Sequence, residues 1–304
     1  MTLARQSDEH MEHLVRHTVS MLRNGHRDPT TVYENDTWWR ATLTPLGAGT
    51  ICITHVTSST PSVRHFGPGG EWLAERAHDF LGHSDQLPVI AAQHNSVARA
   101  QRRFGQLRLP RSHSAYHELL PAVLGQRVTS IEAFGQWRQL CMRFGARAPG
   151  PRDDLFTPPD PQALSRQPYF VLHRFGIEKR RADALMQVAR NAPHLITDID
   201  FTRIETSTLT QQLTRLRGIG VWTAATAGGL AYGDPDALLV GDFHVKNNVS
   251  YALTGRPRGT DEDMVAHLQV YSGQRARVVK WLELDGWIAP KFGPRQRISS
   301  IVNR

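Results

Sequence analysis

The chain of 304 residues predicts a mainly α-helical protein with a small N-terminal α/β domain. Three features carry this prediction. After residue 88, apolar residues recur at the period of amphipathic helices, and prolines interrupt the pattern at short intervals. Between residues 37 and 59, β-branched and aromatic residues alternate with polar ones, as they do in strands. The short Pro-bounded linkers between the helices predict two helical lobes with a cleft between them.

The first predicted element is a helix over residues 8–22, which Gly25 and Pro29 bring to an end. His10, His13 and His17 line one side of it. Because no carboxylate or cysteine is evidently paired with them, a solvated helix face is favoured over a metal site. The apolar positions that share the other face are Met11, Leu14, Val15, Val19 and Leu22.

The stretch 37–59 predicts two or three strands, with Gly47 and Gly49 marking a turn. A helix over roughly residues 70–81 follows. Near the other end of the chain, residues 260–263 resemble a capping box that starts a helix through residue 270, and residues 273–284 predict the last long helix. The positions expected to face inward in the 70–81 helix are Trp72, Leu73, Ala77 and Phe80.

Composition restricts the class of protein. Lysine and arginine exceed aspartate and glutamate by 36 − 28 = 8, and the pI is about 10.0, which favours a polyanionic partner without identifying nucleic acid. No apolar run approaches the ~18 residues of a membrane span, and the first residues lack a secretory core, so we expect a cytoplasmic protein without membrane contact. With only Cys52 and Cys141, a disulfide framework and four-cysteine metal sites are excluded. We predict no metal, no cofactor and a monomer.

Residues 211–248 predict two helices joined by a tight turn, followed by an aspartate before a third helix. Leu209, Leu213 and Leu216 lie at helical spacing behind Ser207 and Thr208, which are good N-cap residues. The Gly-Ile-Gly turn at 218–220 allows close helix packing and directs backbone N–H groups outward, so that it can bind a phosphate without reading a base. For a bare GxG, a plain packing corner is the alternative.

This LxGIGxWTA stretch and the DxHVxxN segment after it resemble the helix-hairpin-helix and catalytic aspartate of the DNA base-excision glycosylases, the HhH-GPD superfamily. Within it the chain most resembles 3-methyladenine DNA glycosylase II, the AlkA type. Residues 119–129 resemble that family's LGQxVS segment and residues 175–185 its GxxxxRAxAL segment. The resemblance covers about residues 107–286 and implies a glycosylase body at 89–304. One lobe would span 116–233 and the other 89–115 plus 234–304, after an N-terminal helix at 1–28 and an α/β domain at 29–88.

The resemblance implies a monofunctional glycosylase of base excision repair. Such an enzyme flips a damaged base, here an alkylated purine, out of double-stranded DNA and hydrolyses its N-glycosidic bond to leave an abasic site. Asp242 would be the catalytic carboxylate, because its charge favours an oxocarbenium-like transition state and it can orient the attacking water. The alternative is that Asp242 only caps the next helix.

The remaining site residues also come from the resemblance. Trp222 occupies the family position of a pocket tryptophan, which in relatives that also cut the backbone is the Schiff-base lysine; an ordinary buried tryptophan is the alternative. Lys246, one helical turn beyond Asp242, lies outside that position. Thr226 replaces a second pocket aromatic, and Trp281 adjoins the position of a third, which is Leu282. The residues expected to contact DNA are Gln126, Arg127 (at the wedge position), Arg217, Gly218, Ile219, Gly220 and Thr223.

Several alternatives stay open at this level. Gln274, Arg275 and Arg277 could face the cleft or water, and the basic tail at 290–304 could graze DNA or be solvated. A catalytically silent helix-hairpin-helix module would explain the positive charge and the turn, although it gives no reason for Asp242. A helical scaffold for another protein would explain neither.

Overall fold

The computed structural model describes residues 2–290, with side chains from residue 9 onward; the basic tail beyond residue 290 lies outside the described residues. The N-terminal region forms a helix and a four-stranded antiparallel sheet in the order β1-β2-β3-β4. More strands form than the predicted two or three because β1 and β4 lie outside the alternating stretch 37–59. The elements are α1 (Thr2–Ser20), β1 (Thr31–Glu34), β2 (Thr37–Thr44), β3 (Gly47–Thr54) and β4 (Ser62–Phe66).

The turn between β1 and β2 explains how a strand of four residues pairs. Glu34 is opposite Thr37, so the loop has only two residues, Asn35 and Asp36, with φ of 49° and 54°. Asn and Asp tolerate the left-handed region better than other residues with a Cβ, and two such residues give a hairpin turn that matches the strand twist. The sheet is covered on both faces, since Trp38 and Trp39 are both buried, each in a different cluster.

The helix predicted over residues 70–81 is interrupted. It forms as α2 (Gly70–Glu75) and α3 (Ala77–Phe80), and its four inward-facing residues are buried as expected. The backbone leaves the helical path at Arg76, whose guanidinium binds the Trp72 carbonyl at 2.9 Å and lies 3.9 Å from the Trp72 ring centroid. Asp198 holds the other side of that guanidinium at 2.8 Å. The interruption at Arg76 is therefore stabilised by a residue 122 positions away in the sequence, and the local sequence pattern does not predict it.

The remaining regular elements of the described chain are helices, with two short 3₁₀ turns at Leu213–Arg215 and Gln269–Tyr271. Capping agrees with the sequence at residues 260–263, where the Thr260 and Asp263 side chains form a capping box. The helices are α4 (Asn95–Phe104), α5 (Ala115–Leu124), α6 (Ser130–Phe144), α7 (Pro161–Ser165), α8 (Tyr169–His173), α9 (Lys179–Arg190), α10 (Ala192–Leu195), α11 (Thr206–Gln212), α12 (Val221–Ala231), α13 (Val245–Thr254), α14 (Asp261–Leu268) and α15 (Arg275–Leu284).

Two large hydrophobic clusters organise this helical body. The first is built from residues between 115 and 232, and the second from residues 97–107 and 238–282 together with Leu14 of α1. Helix α12 belongs to the first cluster and α13 to the second, so the chain passes from one cluster to the other between them. Residue 242 lies in this passage. No helix in the described part of the chain is long and apolar enough to cross a membrane.

A buried polar network joins the sheet to the first cluster. Arg40 of β2 forms an ion pair with Glu118 of α5, and both side chains are almost fully buried. The neighbouring His117 ring lies 2.9 Å from the Thr42 hydroxyl and 3.2 Å from that of Thr30. Buried polar groups without partners are costly, so these pairs fix the sheet in one orientation on α5.

Candidate active site

The hairpin consists of α11, the 3₁₀ turn, residues 216–220 and α12. Gly218 has φ of +91°, and a Cβ built there would lie 2.8 Å from the Cβ of Ala184 in α9. Only glycine satisfies both the left-handed backbone and this close approach. Ile219 is buried beneath the turn, whereas Arg217 and Gly220 are exposed. The helix before the turn begins at Thr206 after Glu205, so the prediction that Ser207 and Thr208 are its N-cap residues is wrong.

The start of α12 leaves backbone donors available. Gly220 occupies the N-cap position, and no side chain caps this end of the helix. A Cβ built on Gly220 would meet no heavy atom within 4 Å, so open space lies in front of the first turn. The first N–H groups of a helix have no partner inside the helix, and the helix dipole adds positive potential there. This end of α12 can accept a phosphate.

Two residues predicted to contact DNA, Gln126 and Thr223, are hydrogen-bonded to each other. Gln126, which follows α5, donates from Nε2 to the Thr223 hydroxyl at 2.9 Å and to the Gly218 carbonyl at 3.1 Å. Thr223 is buried, so its side chain has no surface to offer to DNA. The prediction for Thr223 is therefore corrected to an internal contact. Gln126 joins the turn after α5 to the hairpin turn.

Arg127 is exposed and has φ of +59°, a conformation that costs a residue with a Cβ roughly 1–2 kcal/mol. Buried Arg181 of α9 holds the surrounding turn, because its guanidinium donates to the Leu124 carbonyl and to Gln136 Oε1, both at 2.8 Å. Such strain persists only where neighbouring structure enforces it, and it concentrates at functional sites. The geometry projects the Arg127 side chain outward, as a wedge requires.

The carboxylate of Asp242 is held by three donors. Its Oδ1 accepts from the backbone N–H groups of His244 at 2.7 Å and Val245 at 3.0 Å, and its Oδ2 accepts from Trp222 Nε1 at 2.9 Å. The first pair is the capping contact that sequence reasoning offered as the alternative to catalysis. Capping uses one oxygen of this partly exposed residue, and the second oxygen accepts from Trp222. The two roles are therefore compatible in one side chain.

Trp222 lies in the first turn of α12 and is partly exposed. A Cβ built on Gly125 would come 3.3 Å from Cη2 of its ring, so the small residue after α5 makes room for the indole. Thr226, one turn further on, is also partly exposed, and its hydroxyl donates back to the Trp222 carbonyl at 2.8 Å. The same helix thus carries an indole that is hydrogen-bonded to the Asp242 carboxylate and, one turn further on, a partly exposed threonine.

No protein-family model and no curated protein matches the chain. Solved structures do. The 3-methyladenine DNA glycosylase from Archaeoglobus fulgidus has a TM-score of 0.68 at 17% identity, over 88% of this chain and 93% of that one. The 3-methyladenine DNA glycosylase from Schizosaccharomyces pombe, in complex with abasic DNA, has a TM-score of 0.51 at 20% identity, over 63% and 91%. The chain has the helix-hairpin-helix DNA glycosylase fold.

This fold also occurs in an 8-oxoguanine glycosylase/lyase from Clostridium acetobutylicum, with a TM-score of 0.58 at 9% identity over 84% of this chain and 87% of that one. The helix-hairpin-helix glycosylase fold is therefore common to proteins described as glycosylases and as glycosylase/lyases. The fold therefore does not decide whether a protein has lyase activity, which depends on an amine close to the catalytic carboxylate.

The two C-terminal candidates for a base pocket are in the core. Trp281 is 1% exposed and Leu282 3% exposed, and both belong to the second hydrophobic cluster. Neither has a surface on which a base could stack, so the structure corrects both assignments to core packing. An exposed aromatic ring occurs elsewhere: Phe243, directly after Asp242, is 74% exposed. Sequence reasoning missed it, and its only signal was an apolar residue beside the aspartate.

The polar residues of the last helix are also accounted for. Arg277 is fully buried and binds both carboxylate oxygens of Asp85, at 2.9 and 2.6 Å, while its Nε donates to Gln274. Arg275 forms a similar two-oxygen pair with Asp236, at 2.9 and 2.5 Å. These side chains join distant segments of the fold and do not remain available for a phosphate.

Amines are scarce in this chain. It has four lysines, and the three in the described part, Lys179, Lys246 and Lys280, each form an ion pair with a nearby carboxylate. Lys246, in the first turn of α13, binds Asp261 at 3.0 Å. Asp261 was identified in the sequence only as part of a helix start, yet it also accepts the Gly241 N–H at 2.9 Å. Within the described residues, no group of three or more side chains could hold a metal ion.

Proposed function

We propose that this protein is a monofunctional DNA glycosylase of base excision repair, which removes alkylated purines from duplex DNA and leaves an abasic site. One observation carries the proposal. The Asp242 carboxylate is bonded to Trp222, and Trp222 lies in the first turn of the helix whose start, with Gly220, forms the open end of the hairpin. The open end of the hairpin, which can bind phosphate, therefore lies next to an aromatic ring and a fixed negative charge.

The chemistry needs one carboxylate. As the glycosidic bond lengthens, positive charge develops on the sugar, and a fixed anion stabilises that charge more in the transition state than in the ground state. Asp242 is oriented before substrate arrives, because three N–H donors fix it. The same oxygens can orient a water molecule for attack on C1′.

Base flipping needs three parts, and each has a candidate. The hairpin binds backbone phosphate next to the lesion, Arg127 enters the gap in the duplex, and Trp222 receives the flipped base. Arginine can stack between base pairs and also hydrogen-bond, which an apolar wedge cannot do. The excess of 8 positive charges over negative ones strengthens association with any DNA.

Two observations support hydrolysis without strand cleavage. Trp222 stands at the position that resembles the Schiff-base lysine of the lyases, so no amine is available there. The neighbouring Lys246 amine is engaged by Asp261. An amine nucleophile is the requirement for β-elimination through a Schiff base, and water is left as the nucleophile.

Alkylated purines are the proposed lesion class because a base that carries positive charge is attracted to the face of an indole ring on which it stacks. Trp222 supplies one such face, and the exposed ring of Phe243 supplies a second aromatic group beside Asp242. A binding surface with a threonine and two aromatic rings suits a flat cationic base better than a base that needs several hydrogen bonds for recognition.

The test is release of free base from methylated duplex DNA by purified protein, followed by gel analysis of the strand before and after alkali. We expect 3-methyladenine in the supernatant and strand breaks only after alkali. A protein that binds the duplex but releases no base from it would instead be the catalytically silent DNA-binding module. Breaks that form without alkali would contradict monofunctional hydrolysis.

A further inference from the structure

Leu238, Leu239 and Val240 pack against the second hydrophobic cluster, whereas Gly241, directly before Asp242, has no packing contact around its Cα and is held by hydrogen bonds. Gly241 has φ of +91°, and a Cβ built there would meet no heavy atom within 4 Å. The Asp242 N–H donates to the Leu239 carbonyl at 3.1 Å, a bond within the loop itself. The Gly241 N–H donates to Asp261 Oδ1 at 2.9 Å, which ties the backbone directly before Asp242 to the start of α14.

The second oxygen of Asp261 binds Lys246 Nζ at 3.0 Å. One carboxylate at the start of α14 therefore holds both the loop before Asp242 and the side chain one helical turn after it. The capping box of Thr260 and Asp263 fixes the start of α14 and with it the position of Asp261. Burial alone would raise the pKa of Asp261, but the Gly241 N–H and the Lys246 ammonium together lower it, so the group is an anion at neutral pH.

We propose that Asp261 is a positioning residue with two effects on the same site: it fixes the loop that places Asp242, and it withholds the Lys246 amine from the sugar. This inference rests on the proposed glycosylase function. A small displacement of a fixed charge is enough to reduce catalysis, because a shift of about 1 Å can cost on the order of 100-fold in rate. An amine held in an ion pair is directed at its carboxylate and away from C1′.

The reaction that Asp261 would prevent can be written in full. The neutral Lys246 amine adds to the C1′ aldehyde of an abasic site, and a proton moves from nitrogen to oxygen to give a carbinolamine. Its hydroxyl takes up a second proton from solvent and leaves as water, which forms an iminium ion. Loss of a C2′ proton then expels the 3′ phosphate by β-elimination. Borohydride supplies a hydride to the iminium carbon and converts the C=N bond into a stable secondary amine, which links protein to DNA.

Two substitutions separate the two effects. Asp261→Asn keeps an oxygen that can accept the Gly241 N–H but removes the charge that holds Lys246. Asp261→Ala removes both contacts. Glu262→Gln is the matched control, since Glu262 is an exposed acid in the same first turn of α14 and its replacement makes the same change in charge.

We expect Asp261→Ala to lower kcat for base release at least tenfold with little change in KM, and Asp261→Asn to lower it less. On duplexes with a preformed abasic site, Asp261→Asn should gain a borohydride-trapped adduct over the unmodified protein, and the gain should vanish in Asp261→Asn/Lys246→Ala. Glu262→Gln should change neither quantity, and thermal unfolding of each variant shows that it is folded.

A kcat for Asp261→Ala within twofold of the unmodified value would overturn the loop-fixing role. An adduct yield for Asp261→Asn no higher than that of the unmodified protein would overturn the withholding role. Both failures are distinct from failure of the proposed function, because base release by the unmodified protein is measured separately and trapping on preformed abasic sites does not depend on it.

Discussion

Replacement of Asp242 by asparagine should remove most base release while leaving the fold and DNA binding intact. Asparagine keeps an acceptor oxygen for the N–H groups of His244 and Val245, but its Nδ2 then faces Trp222 Nε1, another donor, where the carboxylate had an acceptor. The opposite rotamer is worse, since it sets Nδ2 against two donors. The variant therefore loses one charge-assisted hydrogen bond, which costs roughly 1.5–3 kcal/mol. A total stability of ~5–15 kcal/mol tolerates that loss.

The expected fall in rate follows from the charge. A unit negative charge about 4 Å from a unit positive charge contributes about 4 kcal/mol at an effective dielectric constant of ~20. Each ~1.4 kcal/mol is a factor of ten in rate, so the loss corresponds to about 10³-fold in kcat. The binding of undamaged DNA should change by no more than a few-fold, since the contact with phosphate lies in the hairpin.

Single-turnover release of base from methylated duplex measures the fall in kcat, and fluorescence anisotropy with undamaged duplex measures the binding. Asp160→Asn is the control for the loss of a capping carboxylate: Asp160 also caps a helix, accepts the Ala163 N–H at 2.7 Å, is exposed and lies outside the site. A rate for Asp242→Asn within tenfold of the unmodified protein would refute the assignment of Asp242 as the group that stabilises the transition state.

The remaining predictions concern the hairpin, the aromatic wall and the dependence of stability on pH. Gly220→Ala should fold normally, because its site is open, and should weaken binding to damaged and undamaged duplex alike in a titration. Gly218→Ala should instead lower the free energy of unfolding by at least ~1–2 kcal/mol in denaturant, since it forces a Cβ into left-handed backbone. Trp222→Phe keeps an aromatic face but loses the bond to the carboxylate, so kcat should fall roughly tenfold with little change in KM, whereas Trp222→Lys should lose more base release than it gains in strand nicking. Burial, aided by the nearby Arg40, holds the pKa of His117 well below its ordinary value of 6.5. Below pH 6.5 the unfolded chain therefore binds a proton at His117 that the folded chain does not bind. The free energy of unfolding consequently falls as the pH falls below 6.5, by up to ~1.4 kcal/mol per pH unit. Urea midpoints at pH 7.5 and 5.5 measure this loss, and His117→Gln should reduce it; an unchanged slope in that variant would assign the effect to other histidines.

The helical body and the hairpin were predictable because their signals are local. A helix buries one stripe of its surface, so its period is visible in any stretch of ten residues. The turn at 218–220 needs glycine for its backbone, and the sequence records that need directly. Asp242 could be selected because it follows the hairpin at a spacing that resembles a known family. The start of α11 was misplaced, since Ser207 and Thr208 are acceptable both as caps and inside a helix.

The sheet was predicted less completely. Strand β4 (Ser62–Phe66) is almost entirely exposed and lacks the alternation of buried and polar residues that identifies a strand. Strand β1 has only four residues and depends on its partner for its hydrogen bonds. Strand formation of this kind is decided by the neighbouring strand and not by the segment itself.

Sequence by itself determined the fold class, the glycine turn and the aspartate that follows it, because each depends on residue types within a short segment. Tertiary structure alone decided which side chains are available to a substrate. It buried Trp281 and Leu282, engaged Arg277 with an aspartate 192 positions away, and left Phe243 exposed. It also joined Asp242 to Trp222 across 20 positions and brought Asp261 to the loop between them. Local periodicity reports which face of an element is buried, whereas the partner across the interface depends on how the elements pack, and that information is distributed over the whole chain.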